Sequence, residues 1–280
     1  MMLFTPEHQR FFMTSREQPL PLYIESIGVN LNQESIVRSA GYPCYHWLQT
    51  MEGEGEFTFA GKTYPLPPGT GVLVAPGEPH EYKRLEAGTS WSTLYITFSG
   101  PQTSAILATL ELDPSACYQW DPSSELQFFG QQVLGSIGSD RDLTGLEASG
   151  DLYRFLLLLK KYGTTGNSPS LSHSLERLAP LLQFMEEKLS DPNVGLSEMA
   201  AVLSVSPRYV NTLFKQSFGE TAYGYFILKR IRRAKEILTS RPNMTVKETA
   251  EAVGFRDASH FVATFRKIEG VTPEQFRKLY

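Results

Sequence analysis

The C-terminal half of the chain repeats itself, and that repeat restricts the fold more than any other feature of the sequence. Leu196 to Ser206 matches Val246 to Asp257 with a shift of 50 to 51 residues. Ala200 corresponds to Ala250 and Leu203 to Val253. After the turn lengthens by one residue, Val210 corresponds to Phe261, Phe214 to Phe265, Lys215 to Arg266 and Gly219 to Gly270. Apolar, small and basic positions recur together, so each copy reads as one supersecondary unit. Ser206 before Pro207 is a favoured N-cap and first-turn pair, Asp257 can cap the matching helix, and Thr245 with Glu248 spells a capping box. Each copy is expected to be helix, tight turn, helix, with Ala200 and Ala250 small where the helices cross.

Periodicity assigns the faces of the second helix in each copy. Val210, Leu213 and Phe214 point inward in the first, Phe261 and Phe265 in the second. That leaves Arg208, Asn211, Thr212 and Lys215 outward in the first copy, and Ser259, Val262, Ala263 and Arg266 in the second. One such helix is equally well a solvated face of a bundle. Two in succession, joined by Ala222 to Leu238, read differently: that spacer is roughly 25 Å of helix, enough to hold them near the DNA groove repeat of about 34 Å. Its basic run, Lys229, Arg230, Arg232, Arg233 and Lys235, is expected partly to face phosphates.

Charge divides along the same line. The 280 residues carry a net charge of -4. Residues 1–171 hold 10 Lys+Arg against 18 Asp+Glu, and residues 172–280 hold 16 against 12, so only the second half is basic. The only two cysteines, Cys44 and Cys117, are too few for a disulfide framework or a thiolate metal cluster. The longest apolar run, Phe155 to Leu159, is far short of the roughly 20 residues a membrane span needs, and no secretory leader is evident. The expected home is the cytoplasm, with no membrane contact.

The first half reads as β-structure followed by helices. Glu56 to Phe59, Thr63 to Leu66, Val72 to Ala75, His80 to Tyr82 and Trp91 to Phe98 are short strands separated by Gly and Pro turns, the spacing of a sandwich or barrel. Ser124 to Ile137 has helical periodicity. A stronger helix follows Thr144, whose hydroxyl with Glu147 suggests a capping box; its stripe Leu152, Phe155, Leu156 and Leu159 either seals the barrel or pairs with a second copy. Gly163 to Ser172 is rich in small polar residues and reads as a linker, giving a regulatory domain over 1–163, a linker over 164–173 and a helical domain over 174–280.

The segment from about Leu175 to Tyr280 resembles the AraC/XylS family of bacterial transcription regulators. The match lies on Ala200, Phe214-Lys215, Gly219, Arg232 to Leu238, Ala250, Val253-Gly254-Phe255, Asp257, Ser259-His260-Phe261, Phe265-Arg266-Lys267 and Gly270-Val271-Thr272-Pro273. The resemblance implies an all-α double helix-turn-helix domain reading successive major grooves of double-stranded DNA. It places base contacts at Arg208, Asn211 and Thr212 in the first unit and at Ser259, Val262 and Ala263 in the second. Lys215, Arg266 and Ser206 fall to the DNA backbone. Arg suits guanine and Asn suits adenine, whereas Val262 and Ala263 offer only thymine-methyl contact.

The N-terminal strands are similar to the family's all-β regulatory cupin barrel, a double-stranded β-helix with flanking helices, and Gly69 to His80 matches the second cupin motif. In the region of the first motif only His46 is present. With His80 it makes two nitrogen ligands, too few for a typical metal site, so no metal, cofactor or catalytic residue is expected. The pattern resembles the family's sugar-responsive members, which implies that Arg38, Tyr82 and Tyr95 meet a saccharide; Thr93 stands where such members have His. His46 and His80 complete the candidate ligand set. The resemblance further implies a small-molecule effector, a homodimer formed through the N-terminal domain, contact with RNA polymerase, and an activating role, with Met1 to Leu22 or the linker as the element that switches. Two other readings stay open: a barrel that serves dimerisation only, and a cupin-type isomerase or oxygenase with an appended helical domain.

Overall fold

The computed structural model describes residues 9–11, 19–85, 90–137, 145–166 and 170–279. They form two compact units, residues 1–172 and 173–280. The first contains β1 (Gln9–Phe11), β2 (Tyr23–Asn30), β3 (Ile36–Arg38), β4 (Tyr45–Gly53), β5 (Gly55–Phe59), β6 (Lys62–Leu66), β7 (Thr70–Val74), β8 (His80–Arg84) and β9 (Trp91–Ser99). These are followed by α1 (Thr103–Thr109), β10 (Ala116–Gln119), α2 (Glu125–Ile137) and α3 (Leu146–Tyr162). Every strand read from the sequence is present. The antiparallel strands make a six-stranded sheet, ordered β1-β2-β9-β4-β7-β10, and a four-stranded sheet, ordered β3-β8-β5-β6.

Alternation along the strands builds two cores from one large sheet. On β4 and β9, Trp47, Leu94, Ile96 and Phe98 face the helices and pack with Leu152, Phe155, Leu156 and Leu159 of α3. Their neighbours Leu48 and Trp91 face the four-stranded sheet, where they meet Phe57, Phe59, Leu66 and Tyr82. The α3 stripe found in the sequence therefore seals its own barrel. Fully burying four such side chains is worth about 1.5–3 kcal/mol each. Helix α3 starts after Gly145, which sits in the left-handed region at φ 72°. Thr144, expected to cap it, lies outside the described residues, as does most of Met1 to Leu22. Thr164, expected in the linker, is bridged to Gln119 of β10, and the linker's last three residues are already helical.

The second unit comprises all but the first two residues of α4 (Leu171–Glu187), then α5 (Leu196–Val202), α6 (Pro207–Phe218), α7 (Ala222–Ser240), α8 (Val246–Ala252), α9 (Ala258–Glu269) and α10 (Pro273–Arg277). The two repeats are α5–α6 and α8–α9. Ser206 Oγ accepts the Tyr209 N–H, Asp257 Oδ1 accepts the His260 N–H, and Thr245 and Glu248 close their box in both directions. Gly219 and Gly270 end α6 and α9 at φ 72° and 79°, a left-handed conformation that costs Gly little. Ala200, Val210 and Phe214 anchor one core; Ala250, Phe261 and Phe265 anchor the other. Helix α7 belongs to both, through Ala222 and Phe226 at its start and Ile231, Ala234, Ile237 and Leu238 farther on. No helix among the described residues is long and apolar enough to cross a membrane.

Candidate functional site

The interior of the barrel leaves a cavity of about 470 Å³ lined by residues from β2, β3, β4, β8 and β9 and from the turns between them. Four of the six residues singled out in the sequence meet there: Arg38, His46, Tyr82 and Tyr95. The other two do not. Thr93 points inward as strand alternation requires, but the β2–β3 turn folds over it. The Gln33 N–H donates to the Trp91 carbonyl at 2.7 Å, and Gln33 Oε1 then takes the Thr93 hydroxyl at 2.7 Å. Thr93 is fully buried behind the wall, and Gln33 forms the wall. His80 stands behind His46 and opens onto a separate cleft on the far side of Arg38.

Several polar wall residues are invisible to a local reading because they come together across long sequence separations. Thr97 of β9 pairs in register next to Ser26 of β2, their hydroxyl oxygens 2.6 Å apart, and Thr97 donates to the Glu25 carboxylate. Tyr42 donates to the same carboxylate at 3.0 Å, and Tyr95 bonds to Ser26. Asn30 Nδ2 donates to Gln33 Oε1 at 2.8 Å. The hydroxyl protons of Thr97 and Tyr42 are thus committed to Glu25; the Thr97 oxygen is filled by the Ser26 N–H and hydroxyl, while the Tyr42 oxygen remains an acceptor. Burial, and then the Glu25 bond, pushes Tyr42 up to about 12; burial also raises Tyr82 and Tyr95, so all three phenols stay neutral. Against these acceptors stands one cation. The Arg38 guanidinium lies over the Tyr42 ring, 4.4 Å from its centroid, and its buried Nε has no hydrogen-bond partner.

The two histidines have a defined protonation pattern. His80 Nδ1 lies 2.8 Å from the Glu78 carbonyl, which only accepts, so Nδ1 carries the hydrogen. Burial holds both rings below the ordinary histidine value, with Arg38 acting in the same direction. Neutral His80 therefore accepts through Nε2 from His46 Nδ1, 3.2 Å away. Among the described residues no three His, Cys, Asp or Glu side chains gather as a metal site would need.

In the helical unit, Arg208, Thr212 and Lys215 are exposed on α6, and Ser259, Ala263 and Arg266 on α9. Ser206 is exposed at the start of α6, its oxygen occupied as the cap. Thr212 donates its hydroxyl to the Arg208 carbonyl at 3.1 Å. Asn211 requires a correction. Its Oδ1 accepts the Ala222 N–H at 3.0 Å, fastening α6 to the first turn of α7, so it cannot offer both amide atoms to adenine. The second copy shows why: the position matching Ala222 is Pro273, which has no N–H, and the position matching Asn211 is apolar Val262. Val262 is likewise half-buried, packed against the second core rather than fully outward, and lies with Ala258, Ser259, Ala263, Arg266 and Lys267 along a cleft of about 790 Å³.

The basic run of α7 also needs correction. Lys229 pairs with Glu186 and Lys235 with Glu269, both at 2.6 Å, while Arg232 and Arg233 reach Glu236. Arg230 is 3% exposed; it donates to the carbonyls of Leu189 and Asp191 at 3.0 and 2.6 Å and lies over the rings of Phe226 and Phe255. It joins the two helix-turn-helix units instead of facing phosphate. Sequence reading did not single out Tyr209, exposed on α6 with its hydroxyl taking Arg177 Nη2 at 2.9 Å, nor Lys267 beside the α9 cleft.

Comparison with known proteins bears on both units. Residues 22–156 match an AraC-like ligand binding domain and residues 199–279 a helix-turn-helix domain. The chain is 26% identical over 251 residues to the arabinose operon regulatory protein of Escherichia coli strain K12, covering 86% of this chain and 83% of that one. It is 23% identical over 231 residues to the Msm operon regulatory protein of Streptococcus mutans, covering 81% and 82%.

Proposed function

The chain belongs to the AraC family of transcription regulators, a ligand-binding barrel followed by a double helix-turn-helix DNA-binding domain, and from that premise we propose that it regulates sugar-handling genes in response to a saccharide held in the barrel. The observation that carries the sensing half is the cavity wall. The Arg38 guanidinium, with an unpartnered buried Nε, faces the Tyr42 oxygen, whose proton is already committed to Glu25. A polyhydroxyl ligand can supply an oxygen to Arg38 and a hydroxyl hydrogen to Tyr42, and the rings of Tyr82 and Tyr95 offer flat apolar surface to a pyranose. The relative named for the arabinose operon agrees with this choice.

In this reading Arg38, His46, Tyr82 and Tyr95 hold the effector, and Gln33, kept in place by Thr93, closes the wall. Arg208 reads a base edge, Thr212 offers an acceptor beside it, and Ser206, Lys215 and Arg266 hold phosphates. The protein works in the cytoplasm as an activator touching RNA polymerase. It pairs with a second copy through the outward side of α3, where Leu146, Tyr153 and Leu157 are 60%, 44% and 42% exposed. The effector acts by binding one conformation more tightly than another.

Thermal unfolding of the full chain against L-arabinose, D-xylose, D-galactose, D-glucose and melibiose tests the reading. A sugar at a hundred times its Kd adds about 2.7 kcal/mol of stability. Arg38→Ala should remove that gain and leave affinity for selected duplex DNA unchanged. If none of the sugars raises the melting temperature, the barrel serves dimerisation and the saccharide reading fails.

A further inference from the structure

The histidine pair adds a requirement to the saccharide site, and it rests on that reading. The Glu78 carbonyl fixes the hydrogen on His80 Nδ1, and His80 Nε2 then fixes the hydrogen of His46 on Nδ1. The remaining nitrogen, His46 Nε2, must be a bare acceptor. His46 lines the cavity although the residue is only 2% exposed, and no described residue donates to its Nε2. Nε2 is not among the fully buried unpartnered atoms, so it opens into the cavity, where a donor on a bound molecule can reach it. We infer that His46, locked in one tautomer by His80, is a specificity-determining acceptor that reads one hydroxyl hydrogen of the effector and makes binding dependent on a neutral pair.

The surroundings set the sign of the pH effect. His46 on β4 faces Arg38 from β3, Tyr42 from the turn after it, His80 and Tyr82 from β8, and Tyr95 from β9; Glu25 of β2 lies behind Thr97, its cross-strand neighbour. Cys44 sits beside Glu25, with burial raising its thiol. On β7 the cross-strand neighbour is Val74, which does not titrate. Adding a proton to Nε2 turns the acceptor into a donor and sets an imidazolium beside Arg38, so acid both removes the contact and is resisted by the site. A ligand hydroxyl that donates to Nε2 stabilises the neutral ring further. Affinity is therefore full near pH 7.5 and falls only when the pH drops below the ordinary histidine range.

The test uses the full chain and whichever of the five sugars above binds most tightly, with affinity read by calorimetry at pH 7.5 and 5.5. The wild-type protein should keep its affinity to within about twofold at pH 5.5, because burial holds both rings below the ordinary histidine value, and should lose affinity only under stronger acid. His46→Phe keeps the ring but not the acceptor, and should bind about tenfold more weakly at both values. His46→Gln places an amide oxygen near the Nε2 position; it should recover most of the affinity and respond little to pH. Nitrogen-15 spectra of the histidine rings, read without ligand, should show Nε2 of His46 unprotonated at pH 7.5. A chain bound by none of the sugars overturns the saccharide reading, and with it this inference. A sugar that binds equally well to wild type and to a folded His46→Phe, or a protonated Nε2 in the spectra, overturns the role of His46 alone.

Discussion

Gly219 and Gly270 end α6 and α9 in the same left-handed conformation, and Phe214 and Phe265 bury the same position, yet the outward faces of the two helices have little in common. The first offers Arg208, Tyr209 and Thr212, all with hydrogen-bonding atoms. The second offers Ser259, His260 and Ala263, with Val262 half-buried beside them, and formal charge returns at Arg266 and Lys267. Positions that close a helix or fill a core are fixed by what they touch inside the domain. Positions that touch nothing inside are free to diverge, and the proposed reading expects the first unit to carry more of the sequence discrimination than the second. Asn211 and Val262 divide by the same rule: one meets an N–H that needs an acceptor, the other a proline that has none.

The largest expected effects ask whether the two units are separable. Phe214→Ala and Phe265→Ala should each cost about 3–5 kcal/mol in denaturant unfolding. Because α7 packs into both cores, the double variant should depart from additivity by more than about 0.5 kcal/mol; strict additivity would break the picture of a shared spacer. Arg208→Ala should reduce the preference for selected over random duplex by about 1–3 kcal/mol in competition binding, while Val262→Ala changes it by no more than about 1 kcal/mol. A larger effect at Val262 would reverse the ranking of the units. Asn211→Ala should cost about 1 kcal/mol of stability and leave base preference alone. Smallest is Lys215→Ala, which should weaken selected and random DNA alike and lower the salt slope by about 1.

Much of this architecture is legible in the sequence, and the parts that are not share a physical origin. The repeat, its caps and the strands from Glu56 to Phe98 follow from local chemistry, a hydroxyl before a proline or an apolar residue at every second place. Strand β2, β10 and the short α1 carry no such mark, because Ser26, Gly28 and their neighbours are placed by pairing with β9 some seventy residues away. Arg38, Tyr82 and Tyr95 were found through a family resemblance, whereas Gln33, Asn30, Tyr42 and Thr97 became wall residues only once β2, β4 and β9 were in register. Arg230 was read as one charge in a basic run. Its burial depends on the loop carbonyls of Leu189 and Asp191, which no helical wheel displays.

Helix α7, common to both cores, leaves the operator no slack. An extra base pair between the two contacted stretches of duplex would swing the second by about a tenth of a turn and push it about 3.4 Å along the axis. A spacer gripped at both ends can absorb neither displacement. Where both units touch one duplex, the distance and angle between the two contacted stretches is thus set by α7.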